Sequence, residues 1–213
     1  MNERAKTRDL RGSDVTRQAL IDAGERLYAL HGVHGTNLLA IAREAGQANK
    51  YAVQYHFGDQ QGLLHAILDS RAVWLEHERA RRLAELAPES GLADLLGVVM
   101  LPVADLIDRD GKRAYARFLL QFMTQLEPWP HVRHPLREKN PDYPTIGEVR
   151  RMFVAKLPHL ERETLLRRLD WLFRGFLGVL IDFENRPEAR RAEETLHSHI
   201  EEYLNICVAS LKA

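Results

Sequence analysis

The 213-residue sequence predicts an all-α protein, with an N-terminal three-helix helix-turn-helix domain followed by a larger helical domain. Three observations carry that expectation. Apolar residues recur at three- and four-residue intervals through most of the chain, the spacing that lines one face of a helix. Beyond Pro88 no alternating strand pattern runs longer than a few residues. Between Thr36 and Phe57 two short periodic segments flank Gly46, which permits the positive φ that a sharp helix stop requires.

Residues 1–12 read as a flexible basic arm, with Arg4, Lys6, Arg8 and Arg11 set against Glu3 and Asp9 and the run ending in Gly12-Ser13. Ser13 or Asp14 can cap a first helix that runs to about His31, with Leu20, Ala23, Leu27 and Leu30 on one stripe. Tyr28 is expected to pack. Gly32-Val33-His34-Gly35 ends this helix, and Thr36 caps the next, whose Leu38, Ile41, Ala42 and Ala45 share a face. After Gly46 comes a second short helix, from Asn49 as its cap to Phe57. On it Val53, His56 and Phe57 lie on one face, and Lys50, Tyr51, Gln54 and Tyr55 lie around the other. An ammonium, two phenols and an amide can all donate to phosphate oxygens or base edges, so the pair is a helix-turn-helix with its reading helix exposed.

The run Ala42-Arg43-Glu44-Ala45-Gly46, followed by Tyr55-His56-Phe57-Gly58 and Leu63-Leu64, resembles the DNA-binding domain of the TetR family of bacterial transcriptional regulators. The likeness covers about Thr16 to Leu68. It implies a DNA-binding domain over residues 13–58 and a ligand-binding and dimerisation domain over 59–213. The DNA-binding set is then Thr36, Asn49, Lys50, Tyr51, Gln54, Tyr55 and His56. Of these, Gln54 is suited to adenine and Lys50 to guanine or phosphate, and Tyr55 and His56 match the family's phosphate-contacting box. For His56, packing beside Val53 and Phe57 is an equal alternative. Two departures stand out. Ala48 occupies the region where the family opens its reading helix with Ser or Thr, and Gln60 replaces the usual lysine, which removes one phosphate-binding charge.

Composition bounds the function without naming it. Thirty basic and thirty acidic residues give no net charge, so any pull toward nucleic acid must be local, as in the basic arm. A single cysteine, Cys207, forbids an intramolecular disulfide and suits a reducing cytoplasm. The most apolar run, Leu95 to Ile107, is broken by Pro102 and Asp105 and is too short to span a bilayer. The charged N-terminus has no signal core behind it, and nothing there suggests export.

Asp59 caps the next helix, which carries Leu63, Leu64, Ile67, Leu68, Val73, Trp74 and Leu75 and becomes a solvated charged face from Glu76 to Glu85. By the resemblance it links the DNA-binding and ligand-binding domains. Gly91 to about Arg109 is helical, with Pro102 expected to kink or break it. Lys112 to Leu126 follows, with Tyr115, Phe118, Leu119, Phe122 and Met123 as its apolar face. Residues 127–144 hold five of the nine prolines and form a long irregular connection. Helices are expected over 145–157, 163–185 and 188–212, with Gly175 and Gly178 placed where a partner helix can approach. By the resemblance, the last two helices form the interface of a homodimer. A monomer core is the alternative.

The resemblance also implies an effector pocket. Met100, Arg117, Phe118, Gln121, Phe122, Trp171 and Arg174 are the candidates for binding a small molecule of unknown identity, with plain core packing the alternative for each. A cationic side chain beside apolar ones suits an acidic or acyl effector. The competing class is a metal-binding or enzymatic helical bundle without DNA binding, suggested by Glu194-x-x-His197 and by His131 and His134. The spacing is a weak signal, because no second Glu-x-x-His copy exists. No phosphate loop, nucleophile elbow or HExxH motif appears. The expected protein is therefore a cytoplasmic, non-enzymatic, ligand-responsive repressor, dimeric on a palindromic DNA operator. It needs no cofactor, metal or membrane.

Overall fold

The computed structural model describes residues 3–49, 51–125, 143–193 and 195–213. Ten helices and no strands occur among them: α1 Glu3–His31, α2 Leu38–Glu44, α3 Ala52–Phe57, α4 Gln60–Ala84, α5 Leu92–Asp105, α6 Ala114–Gln125, α7 Pro144–Lys156, α8 Arg162–Asn185, α9 Glu188–Glu193 and α10 Leu196–Lys212. The first helix corrects the expected flexible arm. It opens at Glu3 rather than after Ser13, because Glu, Arg, Ala, Lys and Leu are strong helix formers, and one glycine at position 12 costs only about 1 kcal/mol. Its core stripe also shifts. Leu20, Ala23 and Tyr28 are buried with Ile21, whereas Leu30 is 67% exposed.

Thr36 does not cap α2. Asn37 does, its Oδ1 accepting from the Ala40 N–H at 2.8 Å. The Thr36 hydroxyl instead donates to the Gly32 carbonyl at 2.9 Å and lies 3.2 Å from that of Leu27, which ties the turn back onto α1. Gly46 takes φ +70°, and Gln47 N–H closes onto the Ala42 carbonyl, so α2 stops where the sequence indicates. Asp59 caps α4 as expected, accepting from Gly62 N–H at 2.8 Å.

The buried apolar side chains join into one cluster from Leu20 to Leu211. The helix-turn-helix is fused to the rest of the molecule through α1 and α4. Tyr28 of α1 stacks on Phe118 of α6, with ring centroids 6.3 Å apart. Val33 N–H donates to the Gln125 side-chain oxygen at 2.9 Å, and Arg71 of α4 holds the buried Glu25 of α1 by two bonds of 2.9 and 3.2 Å. Burial pushes the Glu25 carboxyl up, against the pull of Arg71.

Pro102 does not break α5 at its own position; the helix continues to Asp105. A proline lacks the N–H that would reach the carbonyl four residues back, here that of Val98; the next carbonyl, of Val99, is met by the guanidinium of the buried Arg79 at 3.4 Å. Burial pushes Arg79 down to about 10. The irregular connection expected over 127–144 lies outside the described residues up to position 142. The helix expected over 188–212 is two helices, because Thr195 caps α10 with its hydroxyl oxygen accepting from Ser198 N–H at 3.1 Å. Gly175 faces its own chain: a Cβ there would sit 2.0 Å from the Tyr203 hydroxyl. Gly178 has open space above it.

Candidate nucleic-acid interface and effector cavity

The α2-turn-α3 unit is built by burying Ile41, Ala42, Ala52 and Val53, which leaves the opposite side of α3 to solvent. That helix is shorter than expected. It begins at Ala52, after a local turn in which Asn49 Oδ1 accepts from Tyr51 N–H at 2.9 Å and the Asn49 carbonyl accepts from Ala52 N–H at 3.1 Å. Asn49 thus organises the approach to α3 rather than capping it, because Tyr51 is the cap residue. Tyr51, Gln54 and Tyr55 are exposed together, Tyr55 by 82%. Lys50 lies outside the described residues.

His56 and Phe57 are half-buried beside this face. The Tyr55 and His56 rings meet edge-on at 5.0 Å, and the Arg17 guanidinium covers the Phe57 ring at 5.1 Å. Thr36 is corrected: at 7% exposure, with its hydroxyl donated inward, it braces the turn and offers no side-chain donor outward. Gln60 turns its amide onto the Val33 carbonyl at 3.0 Å, which closes the base of the unit.

A second feature is a partly open cavity of about 490 Å³ lined by α5, α7 and α8. Leu96 and Met100 come from α5, Ile146, Val149, Arg150 and Phe153 from α7, and Leu166, Leu169 and Phe173 from α8, with Glu163, Arg167 and Asp170 also on its wall. Of the seven expected effector contacts, Met100 alone lines it. Phe118 and Phe122 are core, because α6 turns its aromatic face toward Tyr28 and not toward α7. Arg117 donates to Asn185 at 3.0 Å, and Gln121 accepts from the Gln125 amide. Trp171 is 59% exposed on the outside of α8, and Arg174 pairs with Asp170 at 2.9 Å.

The competing bundle reading gathers nothing. His197 pairs with Glu201 at 3.2 Å on an exposed face, and Glu194, His131 and His134 lie outside the described residues. Among the described residues no group of three or more His, Cys, Asp or Glu side chains converges to hold a metal.

The family model described as bacterial regulatory proteins, tetR family, matches residues 20–67, from the buried stripe of α1 to the second turn of α4. Over these residues the chain carries the N-terminal domain of the TetR family. It is 28% identical over 108 residues to the HTH-type transcriptional regulator SrpR of Pseudomonas putida, covering 51% of this chain and 47% of SrpR. To the uncharacterised HTH-type transcriptional regulator TtgW of the same species it is 29% identical over 105 residues, covering 49% of this chain and 72% of TtgW. The aligned segment thus spans about half of SrpR's own length. A solved structure from Shewanella sp. PV-4, described as a tetR family transcription regulator, shares the fold. Its TM-score is 0.56 at 16% identity, covering 92% of this chain and 97% of that one. The structure of AibR in complex with isovaleryl coenzyme A and operator DNA shares it at TM-score 0.52 and 17% identity, covering 91% and 98%.

Head and cavity are joined by α4. Its first residues follow α3 directly, its Arg79 reaches the carbonyl of Val99 on the cavity wall, and its Glu76 Oε1 accepts from both the N–H (2.9 Å) and the hydroxyl (2.6 Å) of Thr145 at the start of α7. Sequence reasoning missed the α7 wall. Ile146, Val149, Arg150 and Phe153 sit at helical spacing, but an apolar stripe with one arginine does not announce a cavity.

Proposed function

We propose that this TetR-family chain is a ligand-responsive repressor that binds a palindromic operator as a homodimer and leaves it when a small molecule fills the cavity. The observation that carries the reading is the α3 face, where Tyr51, Gln54 and Tyr55 project together from a helix anchored behind by Ala52 and Val53. A short anchored helix with phenol and amide groups outward suits the major groove, with Gln54 on a base edge and Tyr55 on phosphate. AibR, which shares the fold, is described in complex with both a ligand and operator DNA.

Two heads are needed for an inverted repeat, and the outer faces of α8 and α10 offer a pairing surface. Trp171 and Ile206 are exposed there, and Gly178 leaves room beside Val179 for a partner helix. The cavity acts on DNA only if the ligand prefers one of two head spacings. The α4 links to Val99 and Thr145 supply a route for that preference. The reading is tested by selecting bound fragments from the source genome with purified protein at near-physiological salt, which suppresses non-specific binding. A short inverted repeat is the expected product. A folded, dimeric protein that enriches none, before and after refolding to strip ligand, overturns the proposal.

A further inference from the structure

We propose that the cavity takes an amphipathic organic anion, its hydrocarbon body against the apolar lining and a single carboxylate on the guanidinium of Arg150; the inference rests on reading this cavity as the effector site. The interior is apolar. Leu96, Met100, Val149, Phe153 and Phe173 are all buried, and about 490 Å³ lies within the range of small-molecule sites.

Arg150 breaks that pattern. It is half-buried on the α7 wall, yet among the described residues no carboxylate lies within 4.0 Å of it and no hydrogen bond engages its donors. Other arginines out of full solvent have partners: Arg174 meets Asp170, Arg113 meets Glu184, Arg71 meets Glu25 and Arg82 meets Glu78, while Arg168 donates to the Ser210 carbonyl and the buried Arg79 to that of Val99. The ionic neighbour that acts on Arg150 is another cation, Arg162, at the start of α8; burial and that repulsion both push its pKa down. A desolvated, unpaired cation is costly, and the cost is relieved by an anion that enters with the ligand. A carboxylate meets a guanidinium through two parallel N–H···O bonds, which fixes the ligand's head as well as its charge.

The cavity's own carboxylates do not fill this role. Asp170 is held by Arg174, and Glu163 is exposed at the rim without an ion pair to Arg150. Arg167, also on the wall, is exposed, and its guanidinium is engaged by the Trp171 ring at 5.8 Å and by the Thr164 hydroxyl at 3.2 Å. A hydrophobic cation would be repelled by Arg150 and Arg162, and a neutral alcohol would leave Arg150 uncompensated.

The test is calorimetric titration of the full chain, without DNA, with straight-chain carboxylates of roughly six to fourteen carbons, a span this cavity size admits. Alcohols and trimethylammonium salts of the same lengths serve as controls. At least one carboxylate is expected to bind at about tenfold or more higher affinity than its matched alcohol and ammonium. Arg150→Met is expected to erase that preference, with the carboxylate falling about tenfold and the alcohol unchanged or tighter; Arg150→Gln replaces it should the first variant fail to fold, as judged by its melting curve. Equal affinity across head groups, no carboxylate binding, or a preference that survives loss of Arg150 overturns the proposal. Because the readout contains no DNA, operator binding without carboxylate preference sinks the ligand class alone. Carboxylate preference without operator binding sinks the regulator reading alone.

Discussion

Side chains on α3 divide by what they can touch. Gln54 carries a donor and an acceptor suited to a base edge, whereas the exposed Tyr55 offers one hydroxyl to any phosphate. Gln54→Ala is therefore expected to cost about 1–3 kcal/mol at one operator position and to relax preference there. Tyr55→Phe is expected to weaken binding to all sequences alike. Titration against a panel of single-base operator variants separates the two. Two arginines make a second contrast. Removing Arg71 orphans the buried Glu25, so Arg71→Ala should cost about 2 kcal/mol, reduced from a fully buried pair because Arg71 is partly solvated. Removing Arg79 takes away a buried cation whose recorded partner is a backbone carbonyl, so Arg79→Met should hold or raise the thermal midpoint. Denaturation of both variants at neutral pH checks the pair.

Helix α4 carries the connection between the two sites, and its clasp on α7 is local enough to be cut. Thr145→Val keeps the volume but removes the hydroxyl donated to Glu76, leaving the backbone bond in place. The expected result is a stability loss of about 1 kcal/mol, undiminished operator affinity and a reduced response to ligand, measured as operator affinity with and without it. Elements of this kind were unevenly legible in the sequence. Asp59, Gly46 and the apolar face of α6 announced a cap, a stop and a core stripe, because each signal resides within a few residues. The start of α1, the break before α10 and the position of the cavity did not. A polar basic run can be arm or helix, and Thr195 acts as a cap only once the chain turns there. That α6 points its aromatics at Tyr28, leaving the cavity to α5, α7 and α8, depends on which helices meet, and periodicity along one helix does not encode its neighbour.

Across the molecule, the reading requires two copies. Ile206 is 56% exposed on α10, near Val179 and the open space over Gly178. Placing a charge there should split a dimer that buries it, since an unpaired interfacial charge is costly. Ile206→Asp is expected to sediment as a monomer with unchanged helical content, a lower melting temperature and no operator binding. A variant that stays dimeric would place the interface elsewhere, and a wild-type chain that is itself monomeric at micromolar concentration would overturn the dimer. The Gln60 side chain has a consequence at this scale too. Its amide closes the reading unit onto Val33 by a bond between uncharged groups, in a chain with no net charge. Dissolved ions screen charges and leave such a bond nearly untouched, so the head keeps its shape from dilute buffer to brine while only its grip on phosphate loosens. With one cation fewer at that position, fewer counterions are expelled on docking. Operator occupancy should then fall with salt, but about one counterion less steeply than in a chain with lysine at position 60.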